Sequence, residues 1–154
     1  MRGLRDALEQ SEKDGVAIGH FNVADWVLLK AVLASGQELK VPVVVGASEG
    51  EREFFGVRQI AALVRSLREE CDCPIFLNAD HTHSLAKAVE AARAGFDAIV
   101  FDLSALPFEQ NVRQTKEAVT PSKQSILPSL WRARSGTLEP GLKFMKRPPT
   151  CRGA

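Results

Sequence analysis

Residues 74–84 read PIFLNADHTHS, an apolar run followed directly by an acid, two imidazoles and a serine. An apolar run of this length that begins at proline and ends in polar residues predicts a buried β-strand. Three other runs have the same form: VAIGHFNV at 16–23, PVVVGAS at 42–48 and AIVFDLS at 98–104. The sequence therefore predicts four strands in its N-terminal two thirds.

The segments that follow these strands have helical periodicity. Gly95 stands where the third helix would end, and Pro107 suits the first turn of the fourth. Four strand-helix units in succession predict a parallel sheet with right-handed crossovers. The residues spaced as one helical face are Leu28, Val32, Ser35 and Leu39, then Ile60, Leu63, Val64 and Leu67, then Leu85, Ala88, Val89 and Ala92, and finally Val112, Thr115 and Val119.

Periodicity alone is compatible with an open doubly wound sheet and with part of a barrel. Polar side chains lie at or just beyond the carboxyl end of every predicted strand, namely Asn22, Ser48, the Asp80–His81 pair and Asp102. A barrel assembles its active site from several strand ends, whereas an open sheet concentrates its ligand groups at one switch point. Glycine-rich nucleotide motifs are absent from the sequence. These patterns favour a partial (β/α)₈ barrel.

Charge and proline content divide the chain into two segments. Residues 1–119 contain 13 Lys and Arg against 18 Asp and Glu, whereas residues 120–154 contain 7 against 1 and five of the eight prolines. A complete barrel needs about 250 residues, so the 119 residues in pattern amount to half of one. We therefore predict a half-barrel over residues 1–119 and an irregular basic tail over residues 120–154.

Composition also limits the location and partners of the protein. No apolar run approaches the ~18 residues of a membrane span, and the charged N-terminus does not resemble a secretory signal. Three cysteines form no even disulfide framework, which indicates reduced thiols in the cytoplasm. The basic tail has no ordered basic stripe, so a nucleic-acid partner is not expected.

Several motifs resemble those of class II fructose- and tagatose-bisphosphate aldolases. They are FNV at 21–23, Ser48-x-Gly50, NADHTHS at 78–84 and AGFDAIVFDLSALPFEQNVRQTKEAV at 94–119. The resemblance implies zinc-dependent, reversible aldol cleavage of a ketose 1,6-bisphosphate, fructose or tagatose, to dihydroxyacetone phosphate and glyceraldehyde 3-phosphate. It does not indicate which of the two ketoses is used.

The resemblance also implies roles for individual residues. Asp80 matches the catalytic acid that exchanges a proton with the sugar hydroxyl, and His81 matches the first zinc-ligating histidine. Asp102 matches a carboxylate that serves a second cation near the zinc. Asn22 and Ser48 match positions near the substrate, with Ser48 close to a phosphate.

Without the resemblance, plainer interpretations stay open for the same residues. The Asp80–His81 segment precedes Ser84 and could simply cap the third helix. Asp102 alone could be a turn residue at a strand end. His83 is expected to be a surface residue or a neighbour of the site, not a zinc ligand.

The tail itself admits a sharper hypothesis than irregular structure. Synonymous codons exist that encode residues 130–153 in one frame and, in the neighbouring frame, LVEGEIGDIGTGSEIHEKAPDLSRG. That alternative resembles the fifth strand and following loop of the aldolase family. We therefore expect a frameshift between residues 120 and 130.

The remaining expectations concern what this chain does alone. The other zinc ligands and the base of the family lie later in the fold, so the isolated chain is expected to be inactive. The alternative from another class is a non-catalytic half-barrel fragment or binding scaffold. Its open sheet edges could also pair two copies into a homo-oligomer.

Overall fold

The computed structural model describes residues 3–122 and 131–134. Strands and helices alternate through this part of the chain, with one additional helix after the second strand. The elements in chain order are α1 (Leu4–Asp14), β1 (Gly19–Asn22), α2 (Trp26–Leu39), β2 (Val43–Ala47), α3 (Glu49–Phe55), α4 (Val57–Glu70), β3 (Ile75–Thr82), α5 (Leu85–Ala94), β4 (Ala98–Asp102), α6 (Phe108–Ser122) and β5 (Trp131–Arg134).

The strands form one sheet in the order β1-β2-β3-β4-β5, and each neighbouring pair is parallel. Gly46 lies in register with Asn22 on one side and with Asn78 on the other. A sheet in which sequential strands are neighbours requires a helical crossover between each pair, as the sequence pattern predicted. The predicted α/β class and its parallel sheet are confirmed.

The two faces of the sheet have different coverings. Alternate residues such as Val45, Leu77 and Phe101 face a large apolar core. The residues between them face the other side, where a small cluster of Val44 and Phe76 packs against Leu4 of α1. Each fully buried apolar side chain contributes about 1.5–3 kcal/mol relative to exposure, so the larger core dominates stability. The second face is apolar only near the amino ends of the strands.

Local sequence signals set the helix boundaries around the sheet. The side chain of Asp25 accepts a hydrogen bond from the Leu28 amide at the start of α2, and Ser84 does the same for α5 with the Lys87 amide. Gly95 ends α5 with φ of 98°, a left-handed conformation that glycine adopts without steric cost. These helix ends fix where the crossovers begin or end, and the parallel pairing of β2, β3 and β4 places their carboxyl ends side by side.

Three features differ from the sequence-based expectations or extend them. The periodicity did not predict α3, and β1 begins at Gly19 instead of residue 16. The residues Trp131–Arg134 form β5, parallel to β4, inside the segment for which irregular structure was expected. The rest of that expectation, for residues 123–130 and 135–154, lies outside the described residues. None of the helices in the described ranges combines the length and apolar character of a membrane span.

Candidate functional site

Asp80 and Asn22 meet at the carboxyl ends of β3 and β1. Asn22 Nδ2 donates a hydrogen bond to Asp80 Oδ2 at 3.0 Å. The strand between them, β2, has glycine at the intervening position. A Cβ added to Gly46 would lie 2.2 Å from Asn22 Oδ1, so only glycine leaves room for this side chain. The contact between Asn22 and Asp80 therefore depends on the absence of a side chain at Gly46.

His81 follows Asp80 in an unusual backbone conformation. Its φ is 43°, which is uncommon for a residue with a side chain, and the pairing of β3 with β4 shifts register between Ala79 and Thr82. A bulge of this kind redirects side chains at the end of a strand. As a result, both Asp80 and His81 face the same space, and His81 Nε2 lies 3.8 Å from Asp80 Oδ2.

Asp102, at the end of β4, orients the ring of His81. His81 Nδ1 lies 2.7 Å from Asp102 Oδ2, and the Ser104 amide donates to Asp102 Oδ1 at 3.0 Å. Burial alone raises the pKa of Asp102, but hydrogen bonds from Ser104 and His81 outweigh this effect and lower the pKa to about 2. Asp102 is therefore ionised at neutral pH and only accepts, so Nδ1 of His81 is the donor.

His83 and Glu49 support the segment that follows His81. His83 Nδ1 lies 3.0 Å from the backbone carbonyl of Asp102. The backbone amide of His83 donates to Glu49 Oε2, also at 3.0 Å. These contacts agree with the expectation that His83 is a neighbour of the site.

Ser48 immediately precedes α3 and caps its amino end through a reciprocal arrangement with Glu51. Its Oγ accepts from the Glu51 amide at 3.3 Å, and its own amide donates to Glu51 Oε2 at 2.6 Å. The half-buried Ser48 makes no hydrogen bond to Asn22, Asp80 or His81 within the described part of the chain. The structure thus brings four of the five predicted site residues together and leaves Ser48 beside them as a helix cap.

Arg52 is a site neighbour that the sequence patterns did not reveal. It lies in α3 with only 2% of its surface exposed, although it carries a charge. Its guanidinium donates to the carbonyls of Ala47 and Asp80 and to the hydroxyl of Thr82. Burial lowers the pKa of Arg52, while the neighbouring carboxylates Glu49 and Asp80 act in the opposite direction. The only sequence signal was the Ser48–Glu51 capping box, which predicts a helix start but not a buried arginine.

On the second face of the sheet, polar side chains also lie further from the strand ends than Asp80. Asn78 is 5% exposed, and its Nδ2 lies 3.0 Å from His20 Nε2. Its Oδ1 is buried without a hydrogen-bond partner among the described residues. His20 lies on the same strand as Asn22, two residues earlier. Polar side chains on this face therefore extend from Asp80 to the level of Asn22, Gly46 and Asn78, and His20 lies one level below, in register with the apolar Val44 and Phe76.

His81 fits one position of a zinc site. A zinc-ligating histidine usually donates its second ring N–H to a carboxylate, which fixes the tautomer and leaves the other nitrogen free. Here Nδ1 donates to Asp102, Nε2 points toward Asp80, and 41% of the His81 side chain is exposed. Within the described ranges, however, no three His, Cys, Asp or Glu side chains form a group able to hold a metal ion. Among the described residues, the geometry of His81 therefore fits one position of such a site and no complete ligand group accompanies it.

Comparison with known proteins places this arrangement in context. A family model described as class-II fructose-bisphosphate aldolase matches residues 2–125. A probable fructose-bisphosphate aldolase from Bacillus subtilis is 33% identical over 119 residues, which are 75% of this chain and 42% of the relative. A fructose-bisphosphate aldolase from Thermus caldophilus is 32% identical over 114 residues, 74% of this chain and 37% of that protein. The chain thus spans less than half the length of these relatives.

Solved structures show the same fold. The YdjI aldolase from Escherichia coli K12 superposes with a TM-score of 0.80 at 27% identity, covering 90% of this chain and 54% of that one. Fructose-bisphosphate aldolase from Campylobacter jejuni superposes with a TM-score of 0.70 at 22% identity, over 82% of this chain and 44% of the other, which bears on the fold alone. The predicted partial-barrel fold and the predicted family resemblance are both confirmed.

Proposed function

Because the chain belongs to the class II fructose-bisphosphate aldolase family, we propose that its strand ends form one side of an active site for aldol cleavage. The substrate class is a ketose 1,6-bisphosphate, fructose or tagatose, and the products are dihydroxyacetone phosphate and glyceraldehyde 3-phosphate. The observation that carries the proposal is the convergence of Asn22, Asp80, His81 and Asp102 through direct contacts. An acid and an imidazole that share one space at a barrel rim suit proton transfer beside a Lewis acid.

Asp80 is the residue that would move the proton. When the bond between carbons 3 and 4 of the ketose breaks, the hydroxyl on carbon 4 becomes the aldehyde and must lose its proton. The Asp80 carboxylate accepts that proton, and in the condensation direction it returns it. The bonding electron pair moves toward the carbonyl at carbon 2. The hydrogen bond from Asn22 holds the Asp80 carboxylate in one orientation, which makes its second oxygen available to substrate.

His81 would hold the metal through Nε2, and Asp102 would hold His81. A bound zinc ion supplies Lewis-acid stabilisation of the negative charge that develops on the ketose oxygens. Both Asp102 oxygens already accept hydrogen bonds, from His81 and from Ser104. We therefore infer that orienting His81 is the main role of Asp102, and that a second cation, if bound, would share these oxygens.

Asn22 and Ser48 would contact the substrate. Asn22 lies beside the proton-transfer residue, and its amide oxygen is oriented across Gly46. Ser48 Oγ accepts from the helix, but its hydroxyl hydrogen can still donate to a phosphate oxygen. Hydroxyl groups and amides at helix starts commonly bind phosphate. The substrate phosphate would then lie above β2.

Zinc binding by the purified chain tests the metal part of the proposal. Titration with zinc, followed by NMR of the three histidine rings, should perturb His81 most. His81→Gln should abolish the effect, and His20→Gln, a matched control, should preserve it. Binding should be weak because one histidine does not complete a zinc site. A wild-type chain whose His81 ring does not respond to zinc contradicts the proposal.

A hybrid protein tests catalysis. The part of this chain that matches the Bacillus subtilis relative would replace the matched region of that relative. We expect metal-dependent cleavage of fructose 1,6-bisphosphate, reduced about 100-fold or more by Asp80→Asn, in line with the usual contribution of a positioned acid or base. The exposed Asp72→Asn serves as the control. A folded, zinc-loaded hybrid without activity would contradict the proposal.

The second candidate is a non-catalytic half-barrel. The incomplete metal-ligand group among the described residues favours it for the 154-residue polypeptide alone. Under both candidates the purified chain shows negligible cleavage of fructose 1,6-bisphosphate. Only the hybrid distinguishes them, because a scaffold that never served catalysis would give a folded hybrid without activity.

A further inference from the structure

We propose that Arg52 is a positioning residue for the Asp80–His81 pair, which it holds in place through the backbone and side chain of the β3 bulge. This inference rests on the proposed function for its catalytic meaning. Its structural content, the conformation of residues 80–83, can be measured separately. Arg52 belongs to a helix that the sequence patterns did not predict, and it does not touch the reacting groups themselves.

The contacts of Arg52 are concentrated on the segment that carries the site. Nη1 donates to the Asp80 carbonyl at 3.0 Å, and Nη2 donates to Thr82 Oγ1 at 2.9 Å. A third hydrogen bond goes to the carbonyl of Ala47, the last residue of β2. One guanidinium therefore ties the end of β2 to the residues on both sides of His81.

This arrangement matters because His81 needs external support. A side-chain-bearing residue at a φ of 43° costs free energy and persists only where its surroundings hold it. At the bulge, β3 and β4 lose regular pairing between Ala79 and Thr82, so the sheet alone does not fix the segment. The two hydrogen bonds from Arg52 replace part of the lost pairing. Glu49, from the same helix, fixes the next amide by accepting from His83.

Burial makes the hydrogen bonds of Arg52 costly to break. Arg52 is 2% exposed and Thr82 is fully buried. The ion pairs found among the described residues do not include Arg52: its hydrogen bonds go to carbonyl and hydroxyl oxygens, and the carboxylates of Glu49 and Asp80 stabilise its charge at longer range. A buried charged group whose hydrogen bonds go to neutral acceptors would lose several contacts at once if the bulge moved. The cost of that loss restrains the segment to the conformation that directs His81 Nε2 toward Asp80.

The test uses the metal-free chain and four variants. Arg52→Met removes the guanidinium and keeps an apolar stem, Arg52→Lys keeps the charge, and Thr82→Val removes only the hydroxyl acceptor. The exposed Arg65→Met is the matched control. Amide hydrogen exchange of residues 80–83 and the ring tautomer of His81, read by nitrogen NMR, report the conformation. Urea unfolding reports global stability.

We expect Arg52→Met to speed exchange at residues 80–83 about tenfold beyond the change at β2 amides, which is the order of effect when local opening no longer breaks a hydrogen bond to a charged group. His81 should then populate both tautomers instead of the Nδ1–H form alone. Arg52→Lys should recover part of both signals, and Arg65→Met should change neither. Thr82→Val preserves the charge of Arg52 and should change both the exchange rate and the tautomer ratio in the same direction. It provides the test if Arg52→Met does not fold.

A uniform loss of stability would overturn the inference. If the variants at Arg52 and Thr82 lower the urea midpoint while residues 80–83 keep their relative protection and His81 keeps one tautomer, Arg52 is only a packing residue. These readouts need neither metal nor substrate. They therefore succeed or fail independently of the zinc titration and the hybrid enzyme, which test the proposed function alone.

Discussion

Replacing Asp102 by asparagine removes a buried negative charge and leaves the shape of the side chain. In the native chain the Asp102 carboxylate is 7% exposed and accepts hydrogen bonds from His81 Nδ1 and the Ser104 amide. The asparagine variant has one acceptor oxygen in place of two, so it can accept from His81 Nδ1 or from the Ser104 amide, and its amide nitrogen then faces the other donor. It loses the charge assistance that makes such bonds roughly twice as strong.

The pKa of Asp102 provides the magnitude of the expected loss. A carboxyl held at about 2 instead of 3.8 in the unfolded chain contributes about 2 kcal/mol to the free energy of unfolding at neutral pH. Because the folded pKa is depressed, this contribution is fully present above pH 3.8 and is lost as pH falls toward 2. The difference between the wild type and Asp102→Asn should therefore be constant from about pH 5 to 7 and should shrink between about pH 4 and 2.

Urea unfolding followed by circular dichroism, in metal-free buffer at several pH values, measures this difference. The exposed Asp72→Asn is the control and should change stability by less than about 0.5 kcal/mol at every pH. A difference between wild type and Asp102→Asn that is absent at pH 7 would refute the inferred contribution. A difference that stays the same down to pH 2 would show that the carboxylate charge is not its source.

Two further predictions concern Ser48 and the tail. Ser48→Ala should lower the free energy of unfolding by about 1 kcal/mol, because α3 loses its cap. Ser48→Asn should retain most of the wild-type stability, because asparagine is also a good capping residue. Equal stability of all three chains in urea would contradict the observed cap. The nucleotide sequence around the codons for residues 115–135 should reveal, in the neighbouring frame, an uninterrupted continuation that resembles the fifth strand of an aldolase barrel; a stop codon there would end the frameshift hypothesis.

The sequence was sufficient for four of the five strands of the sheet and for the strand-end positions of Asn22, Asp80, His81 and Asp102. Strands buried in a parallel sheet are continuous apolar runs, and β2 and β3 stand out for that reason. Because the carboxyl ends of parallel strands lie along one edge, the polar residues that follow them had to be neighbours. The contacts of Asn22 with Asp80 and of His81 with Asp102 follow from that rule.

The sequence did not predict the short elements or the long-range contacts. The seven residues of α3 are too few for a helical period to be recognised, and β5 has no apolar run to mark it. The burial of Arg52 depends on a bulge in β3, 28 residues away along the chain. A charged residue is normally expected at the surface, and nothing local distinguishes Arg52 from the neighbouring glutamates.

In the structure, the Asp102 oxygen that could bind a second cation is already hydrogen-bonded to His81. The strand pattern placed Asp102 at the end of a strand, and the resemblance to the aldolase family implied that its carboxylate serves a second cation near the zinc. In the structure one Asp102 oxygen accepts from His81 Nδ1, and this contact leaves Nε2 as the ring atom able to bind metal. A cation that took this oxygen for itself would weaken the contact that orients His81. The two roles therefore compete for this oxygen, and its contact with His81 Nδ1 at 2.7 Å favours the hydrogen-bonded role.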